Sequence, residues 1–498
     1  MNSFRKIIPA VALAASALLA TAAPLMASHG GSTSYKVVAW NDLGMHCACP
    51  TFAGFLLLPP FNTVRAQVFQ YGGNDPVVVT SSLASSLGLT ISYGMVENTD
   101  ANLQADPYFA QWITYSPKLF PPPFQPVVGG KVIGIAGKGL TGNMTYDSNL
   151  LDWTAVGIPA YPITTGNTAK DVMTDPLGGP NRDPYVTANV YVKDSANRVL
   201  AQTSTVVPVA FGGCCTCHLP LAAQHGYPAT PTGSFAYMGK MHGQNGSKID
   251  FNYLDPTGDG TSGPIRCSWC HWDPAMGETA APGLPNVWPN YVIMPGATFT
   301  KADIKVSQYS FSDVLHRFHS QDALVLSTYP GFVTDCYKCH PGNNANCYRG
   351  AHKGKTAIWC IDCHGDLNQR VAAGQLTQPW KASTLPSCTG PALGITSAFI
   401  CHANSVVGGT TYPANPTLFG KFINGRGHKG SIKCQTCHGE PHAEAPSTMS
   451  LDNVQLSTLQ DSVAGATYPS GKDHTYALGV CQFCHPGKTS TWGVPPHQ

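Results

Sequence analysis

Val209-Ala210-Phe211-Gly212-Gly213-Cys214-Cys215-Thr216-Cys217-His218 divides the chain in two. Before it, residues 32–212 hold only Cys47 and Cys49; residues 213–498 hold the other sixteen cysteines. Within it, Cys214, Cys217 and His218 form a C-x-x-C-H run, the attachment pattern of c-type haem. Two intervening residues let both thiols bond the vinyl edge of one porphyrin, and the next His swings beneath the ring to ligate the iron. The composition break at Phe211-Gly212-Gly213 predicts a domain boundary there.

Working outward, the same run recurs at Cys267/Cys270/His271, Cys336/Cys339/His340, Cys360/Cys363/His364, Cys434/Cys437/His438 and Cys481/Cys484/His485. One such run is moderately specific, and six in one chain are very specific. Zinc bound by CxxC pairs is the competing reading, but zinc ribbons do not require His after every second Cys. Six CxxC disulfides would leave the recurrent His unexplained. A seventh haem is expected at Cys388, Cys401 and His402. There the two thiols are separated by an extruded loop, Thr389–Ile400, in which Gly390-Pro391 and Gly394 permit the chain to turn back. The alternative at this place is a plain Cys388–Cys401 disulfide. Cys47, Cys49, Cys215 and Cys347 remain, an even number that suggests disulfides of unreadable connectivity. One of the N-terminal pair could link to the haem half, and a metal site at His46-Cys47-x-Cys49 is a further alternative.

The second axial ligand decides what such irons do. Two strong ligands leave an iron that only passes electrons, whereas an open position lets substrate bind. Eight histidines between 213 and 485 lie outside the motifs: His225, His242, His316, His319, His352, His428, His442 and His474. They are expected to be the distal ligands, with Met238, Met241 and Met276 as alternatives. His316 and His319 are three residues apart, so on a helical turn they share a face and could serve neighbouring haems. No C-x-x-C-K run occurs. The expectation is therefore an electron carrier, not an enzyme; a multihaem reductase of nitrogen or sulfur oxyanions is the rival.

Residues 32–212 read as an all-β, sandwich-like domain. Tyr35–Trp40, Val64–Phe69, Leu89–Tyr93 and Lys131–Ala136 are short and rich in β-branched or aromatic residues. Tyr185–Lys193, a polar turn at Asp194-Ser195-Ala196-Asn197, and Arg198–Val209 read as a long hairpin. A short helix is expected around Leu103–Tyr115, and a loop or extended connector at Pro117–Pro126. Residues 213–498 have weak hydrophobic periodicity. They read as a multihaem cytochrome c domain, mostly coil with short helices such as one around Phe311–Ser327. Such a segment needs covalently bound macrocycles to pack against.

Residues 1–27 read as a signal peptide: Arg5 and Lys6, an Ala-rich apolar stretch, then small residues before a cleavage point. A membrane anchor is the alternative, but the apolar run is short and interrupted by Pro9. The mature chain is expected to lack a membrane span and to lie in the periplasm, on the outer cell surface or outside the cell. Charged residues are 11% of the chain and the formal net charge is +2, which gives no surface for nucleic acid.

At these residues the chain resembles the large multihaem c-type cytochromes of metal-respiring bacteria. Trp40-Asn41-Asp42-Leu43-Gly44-Met45-His46-Cys47, followed by Leu58-Pro59-Pro60-Phe61-Asn62, is similar to the opening of their β-rich domain. His428, Cys434–His438, Gly439-Glu440-Pro441-His442-Ala443 and Asp452-Asn453 are similar to their C-terminal module. The resemblance implies electron transfer to other redox proteins or to extracellular acceptors such as minerals or other cells. Some relatives self-associate into haem filaments. The chain departs from the common pattern at Cys388–His402.

Overall fold

Within Ser34–Asn41 the run Val37-Val38-Ala39-Trp40 is apolar at every position, which suits a strand covered on both faces. In the computed structural model that stretch is β1, and it is covered on both faces. The structure describes residues 34–244 apart from 43–44, 53–54, 57, 72–75, 121–123 and 174–178. It also describes residues 265–266, 280–281, 284–285, 310–321, 335–340, 345–350, 352–353, 359–365, 367–368, 406–407, 410–411, 426–427, 431–445, 447–453 and 455. The signal-peptide reading of residues 1–27 lies outside them.

The N-terminal region is β-rich. Its strands are β1 (Ser34–Asn41), β2 (His46–Ala48), β3 (Phe55–Leu56), β4 (Asn62–Tyr71), β5 (Val77–Val78), β6 (Thr90–Met95) and β7 (Val127–Val128). They continue with β8 (Lys131–Val132), β9 (Thr141–Asn143), β10 (Thr145–Asp147), β11 (Asp152–Ile158), β12 (Thr187–Lys193), β13 (Val199–Val206) and β14 (Val209–Phe211). One antiparallel sheet runs β1-β4-β11-β10, with β5 also on β4; a second runs β13-β12-β6-β9. β1 packs against β13 and β12 of the second sheet. β2 and β14 pair in parallel, Cys47 opposite Ala210, so the strand that ends at Phe211 delivers the chain to Cys214 beside β2.

Side-chain alternation sorts the two faces of the first sheet. Val37, Ala39, Val64, Ala66 and Val68 enter the main core with Tyr93, Trp112, Tyr161 and Tyr185. Val38, Trp40, Phe69 and Tyr71 form a second cluster on the opposite face, and Ile432 packs against it. The outer face of this sheet is therefore covered by the residues that lead into Cys434.

Three helices lie within this region: α1 (Ser81–Ser86), α2 (Asp100–Ala105) and α3 (Pro107–Leu119). The helix expected around Leu103–Tyr115 is thus two helices. Asp106 divides them: it is extended, and its carboxylate accepts from the N–H groups of Tyr108 and Phe109. Pro107 occupies the first turn of α3, where a missing N–H costs nothing. The connector expected from Pro117 starts later, because α3 continues through Pro117 to Leu119. Burial of Trp112, Leu119 and Phe120 anchors that last turn. The strand expected at Lys131–Ala136 is confined to Lys131–Val132. Gly134 approaches β11 so closely that a Cβ there would lie 2.3 Å from the Gly157 carbonyl oxygen. The hairpin expected from Tyr185 is β12 and β13, with a register shift at Val192/Lys193 beside the Asp194 turn.

Beyond residue 212 the described helices are α4 (Cys214–Gln224), α5 (Pro231–Gln244), α6 (Phe311–Gln321), α7 (Cys360–His364) and α8 (Cys434–His438). The helix expected around Phe311–Ser327 is α6, described to Gln321. Among the described residues no helix is long and apolar enough to cross a membrane.

Candidate functional site

α6 begins at Ser310, whose hydroxyl accepts from the Asp313 N–H at 3.1 Å, and Asp313 then pairs with Arg317 at 3.1 Å. On this helix the Nδ1 of His316 lies 2.7 Å from the Ser312 carbonyl oxygen, and that of His319 lies 2.8 Å from the Leu315 carbonyl oxygen. A carbonyl only accepts, so each Nδ1 carries the proton and donates. Such a bond leaves Nε2 as the unprotonated ring nitrogen, the one that can ligate a metal.

The two rings face different motif histidines. His319 stands opposite His218 with centroids 6.3 Å apart and planes at 88°. His316 stands opposite His340 at 6.3 Å and 22°. A third pair, His364 and His442, is separated by 6.0 Å with planes at 5°. A metal–imidazole bond is about 2.0–2.1 Å and the ring radius is about 1.1 Å, so two imidazoles sharing one ion have centroids about 6.3 Å apart. By contrast, His225 stacks directly on Tyr237, with centroids 4.6 Å apart and planes at 14°. Each of the three pairs joins one motif histidine to one histidine outside the motifs.

At His218, His340 and His316 the surroundings disfavour the charged ring. Burial, helped by the facing His319, pushes His218 down to about 4. Burial, with His316 and His442 nearby, does the same to His340, also to about 4. Burial lowers His316 as well, against the opposing bond to Ser312. Neutral imidazole is the form that ligates a metal. The Nδ1 atoms of His218 and His442 are buried without a hydrogen-bond partner in the protein. Burial raises the Cys214 thiol and, with Cys214 and Cys217 adding to it, pushes Cys339 up to about 12. The Cys214 and Cys339 sulfurs therefore sit where a neutral sulfur is preferred, and a thioether meets the same demand. Among the described residues no group of three or more His, Cys, Asp or Glu is placed to hold a metal ion by itself. The donors come as opposed pairs, which fits a planar macrocycle between them better than a tetrahedral ion.

Neighbouring motifs touch. The Gly213 N–H, at the head of α4, donates to the Cys339 carbonyl at 2.8 Å. A Cβ on Gly213 would lie 2.5 Å from the Lys338 carbonyl oxygen, so this crossing requires glycine. Cys336 and Cys360 are in side-chain hydrogen-bond contact, which together with burial pushes Cys360 upward. His442 is held by the loop at 345–350: Arg349 and Gly350 both donate to its carbonyl, at 2.8 and 2.9 Å. Arg349 is itself buried, fixed by Asp452 and seated 5.3 Å over the Tyr185 ring.

The remaining expected ligands divide as follows. His352 contacts the Glu444 carboxylate through Nδ1; burial opposes its charge, but the hydrogen bond and charge of Glu444 win and hold it above its ordinary value. Cys434, Cys437 and His438 form α8, whose Thr436 hydroxyl donates to Gln67 of β4 at 2.8 Å. Cys217 and Cys363 lie in α4 and α7 with their motif partners. Cys267, Cys270, His271, Cys388, Cys401, His402, Cys481, Cys484, His485, His428 and His474 lie outside the described residues, as does the His242 side chain. No sequence signal marks Gln67. Besides Thr436, its side chain accepts from the Lys433 N–H at 3.0 Å and donates to the Ser431 and Leu151 carbonyls, each at 2.9 Å.

No family model, no curated protein and no solved structure matches this chain.

Proposed function

We propose that the chain is an exported multihaem c-type cytochrome, with a sandwich-like β domain at 32–212 and a multihaem domain at 213–498. It would carry haem c on the six C-x-x-C-H motifs and a seventh at Cys388, Cys401 and His402. The observation that carries this reading is the set of three opposed imidazole pairs, His218/His319, His340/His316 and His364/His442, each separated by the width of one shared ion. Bound there, haem supplies a reversible one-electron iron couple.

The chain's own residues do the rest. Cys214/Cys217, Cys336/Cys339 and Cys360/Cys363 would tether the haems, and His218, His340 and His364 would hold the irons together with His319, His316 and His442. With two imidazoles of the chain for each iron, such sites would favour electron transfer over substrate turnover. The contacts of Gly213 with Cys339 and of Cys336 with Cys360 set the order of the sites as 214–218, 336–340, 360–364. Electrons would then pass along that order to other redox proteins or extracellular acceptors. The intact mass of the purified mature protein tests the reading and is expected to exceed the polypeptide by seven haems. A six-haem mass would remove the site at Cys388–His402, and a haem-free mass would end the proposal.

A further inference from the structure

A carboxylate stands beside the third imidazole pair. The Ala443 N–H donates to the Glu440 carbonyl at 3.1 Å, and the turn so closed folds the Glu440 side chain back over His442. Its Oε2 accepts from the His442 N–H at 2.8 Å and lies 3.6 Å from the His442 Nδ1. The His442 ring is partly exposed, but its Nδ1 is buried. Neither that Nδ1 nor the buried Glu440 Oε1 has a hydrogen-bond partner in the protein. The backbone here is clamped: Arg349 and Gly350 hold the His442 carbonyl, and a Cβ on Gly350 would lie 2.5 Å from the Glu444 nitrogen. The charge of Glu440 is only partly met. Arg349 bonds Asp452 twice, at 2.5 and 2.8 Å, and reaches Glu440 Oε1 at 3.9 Å. Two buried carboxylates thus share one buried guanidinium, and this cluster carries one net negative charge. His316 and His319 differ, for their Nδ1 atoms donate to the neutral carbonyls of Ser312 and Leu315.

We propose that Glu440 is a positioning residue for the iron of the His364/His442 pair: it accepts a hydrogen bond from His442 Nδ1, leaves Nε2 to ligate, and lowers the reduction potential of that one haem. The inference rests on the haem reading above and deepens it. A neutral imidazole has a single N–H and a carboxylate can only accept, so beside Glu440 the proton belongs on Nδ1. An anionic acceptor makes the imidazole a stronger base than a carbonyl acceptor does. Ferric iron carries one more positive charge than ferrous iron. A stronger donor and a net negative cluster beside it both favour the ferric state, and buried charges are screened little by salt.

Glu440→Gln keeps an acceptor for the His442 N–H in nearly the same volume and removes the charge. The haem-loaded protein, its haem count checked by intact mass, is titrated potentiometrically and followed by electron paramagnetic resonance. One haem should become easier to reduce, by about tenfold in its reduction equilibrium, or about 59 mV for one electron, while the others keep their midpoints. Its ferric signal should be the one that His442→Ala deletes. Glu440→Asp, which retains the charge, should stay closer to the natural midpoint. A second measurement leaves Glu440 in place and decides the matter if Glu440→Gln loads no haem. In the unaltered protein, the haem that His442→Ala turns high-spin should have a lower midpoint than those that His316→Ala and His319→Ala turn high-spin. The reverse order, unmoved midpoints in Glu440→Gln, or movement of a different haem would overturn the inference and leave the haem reading standing. A haem-free mass would end both.

Discussion

His316 and His319, one helical turn apart on α6, serve opposite neighbours: His316 faces His340 and His319 faces His218. One short helix thus spans two motifs that are more than a hundred residues apart in sequence. Removing either ring should open one iron. His319→Ala is expected to convert one haem to a high-spin form, His316→Ala another, and the double variant both. Electron paramagnetic resonance counts them. A single variant that stays wholly low-spin would show that its pairing is wrong. His316→Met should instead raise the potential of one haem, since a thioether ligand favours the reduced iron relative to imidazole.

The angles between ring planes predict the shape of the ferric spectra. Two parallel imidazoles donate into the same iron d orbital and split the pair, giving a rhombic low-spin signal. Perpendicular rings leave the pair nearly degenerate and give a strongly anisotropic signal with a large maximum g value. The 88° pair, His218/His319, should give the anisotropic type. The pairs at 22° and 5° should give rhombic signals. The assignment is checked with His319→Ala, which should delete anisotropic intensity and leave rhombic intensity unchanged.

Gln67 should matter more to the C-terminal module than to its own strand. Its side chain makes hydrogen bonds to Ser431, Lys433 and Thr436, all in a buried setting. Gln67→Ala leaves the Lys433 N–H without its acceptor, and buried orphans cost about 1–3 kcal/mol each. A loss of roughly 3 kcal/mol in unfolding free energy is expected, with the haem count unchanged. Denaturant unfolding of the loaded protein would measure it; a change below about 0.5 kcal/mol would mean that the segment is held by Ile432 and its apolar neighbours alone.

Asp183 predicts a pH dependence. Burial pushes its carboxyl up to about 6, against the bond from the Tyr185 N–H and the nearby Lys170. The folded chain therefore holds this proton at pH values where the unfolded chain has lost it. The stability it contributes is complete below about 4 and is lost as pH rises towards about 6, by at most about 1.4 kcal/mol per pH unit. Asp183→Asn keeps an acceptor for Tyr185 and should remove this slope. Unfolding midpoints of both proteins across that range provide the comparison. Parallel pH profiles would place the titration elsewhere.

The sequence displays its motifs more openly than its packing. A motif such as Cys336–His340 is legible because chemistry fixes its spacing whatever the fold. The hairpin β12–β13 is legible because both strands and the turn are local. β11 is hidden, because the irregularity between Val156 and Ile158 interrupts its alternation and Gly157 lies within it. The course of α3 through Pro117 depends on buried aromatic contacts of Trp112 with Phe120 and Phe124, which no local pattern announces. The histidines outside the motifs stand out as a set, since eight of them crowd a segment poor in other ligands. Their partners were not, because each pairing joins residues brought together only by the tertiary fold.

Gln455 carries a consequence for maturation. Its side-chain oxygen accepts from the Ala39 N–H of β1 at 2.7 Å and from the Thr203 hydroxyl of β13 at 3.2 Å, while its amide donates to the Ala39 carbonyl. The join between the two sheets is thus finished by a residue that emerges from the ribosome some 250 positions after Thr203. Until then the edge of β1 is unsealed, and on the proposed reading haem attachment would meet Cys214, Cys336 and Cys360 on a chain that has not yet closed. Loading order would thereby be tied to the direction of synthesis: early haems would be fitted from an open side that the last part of the chain afterwards shuts.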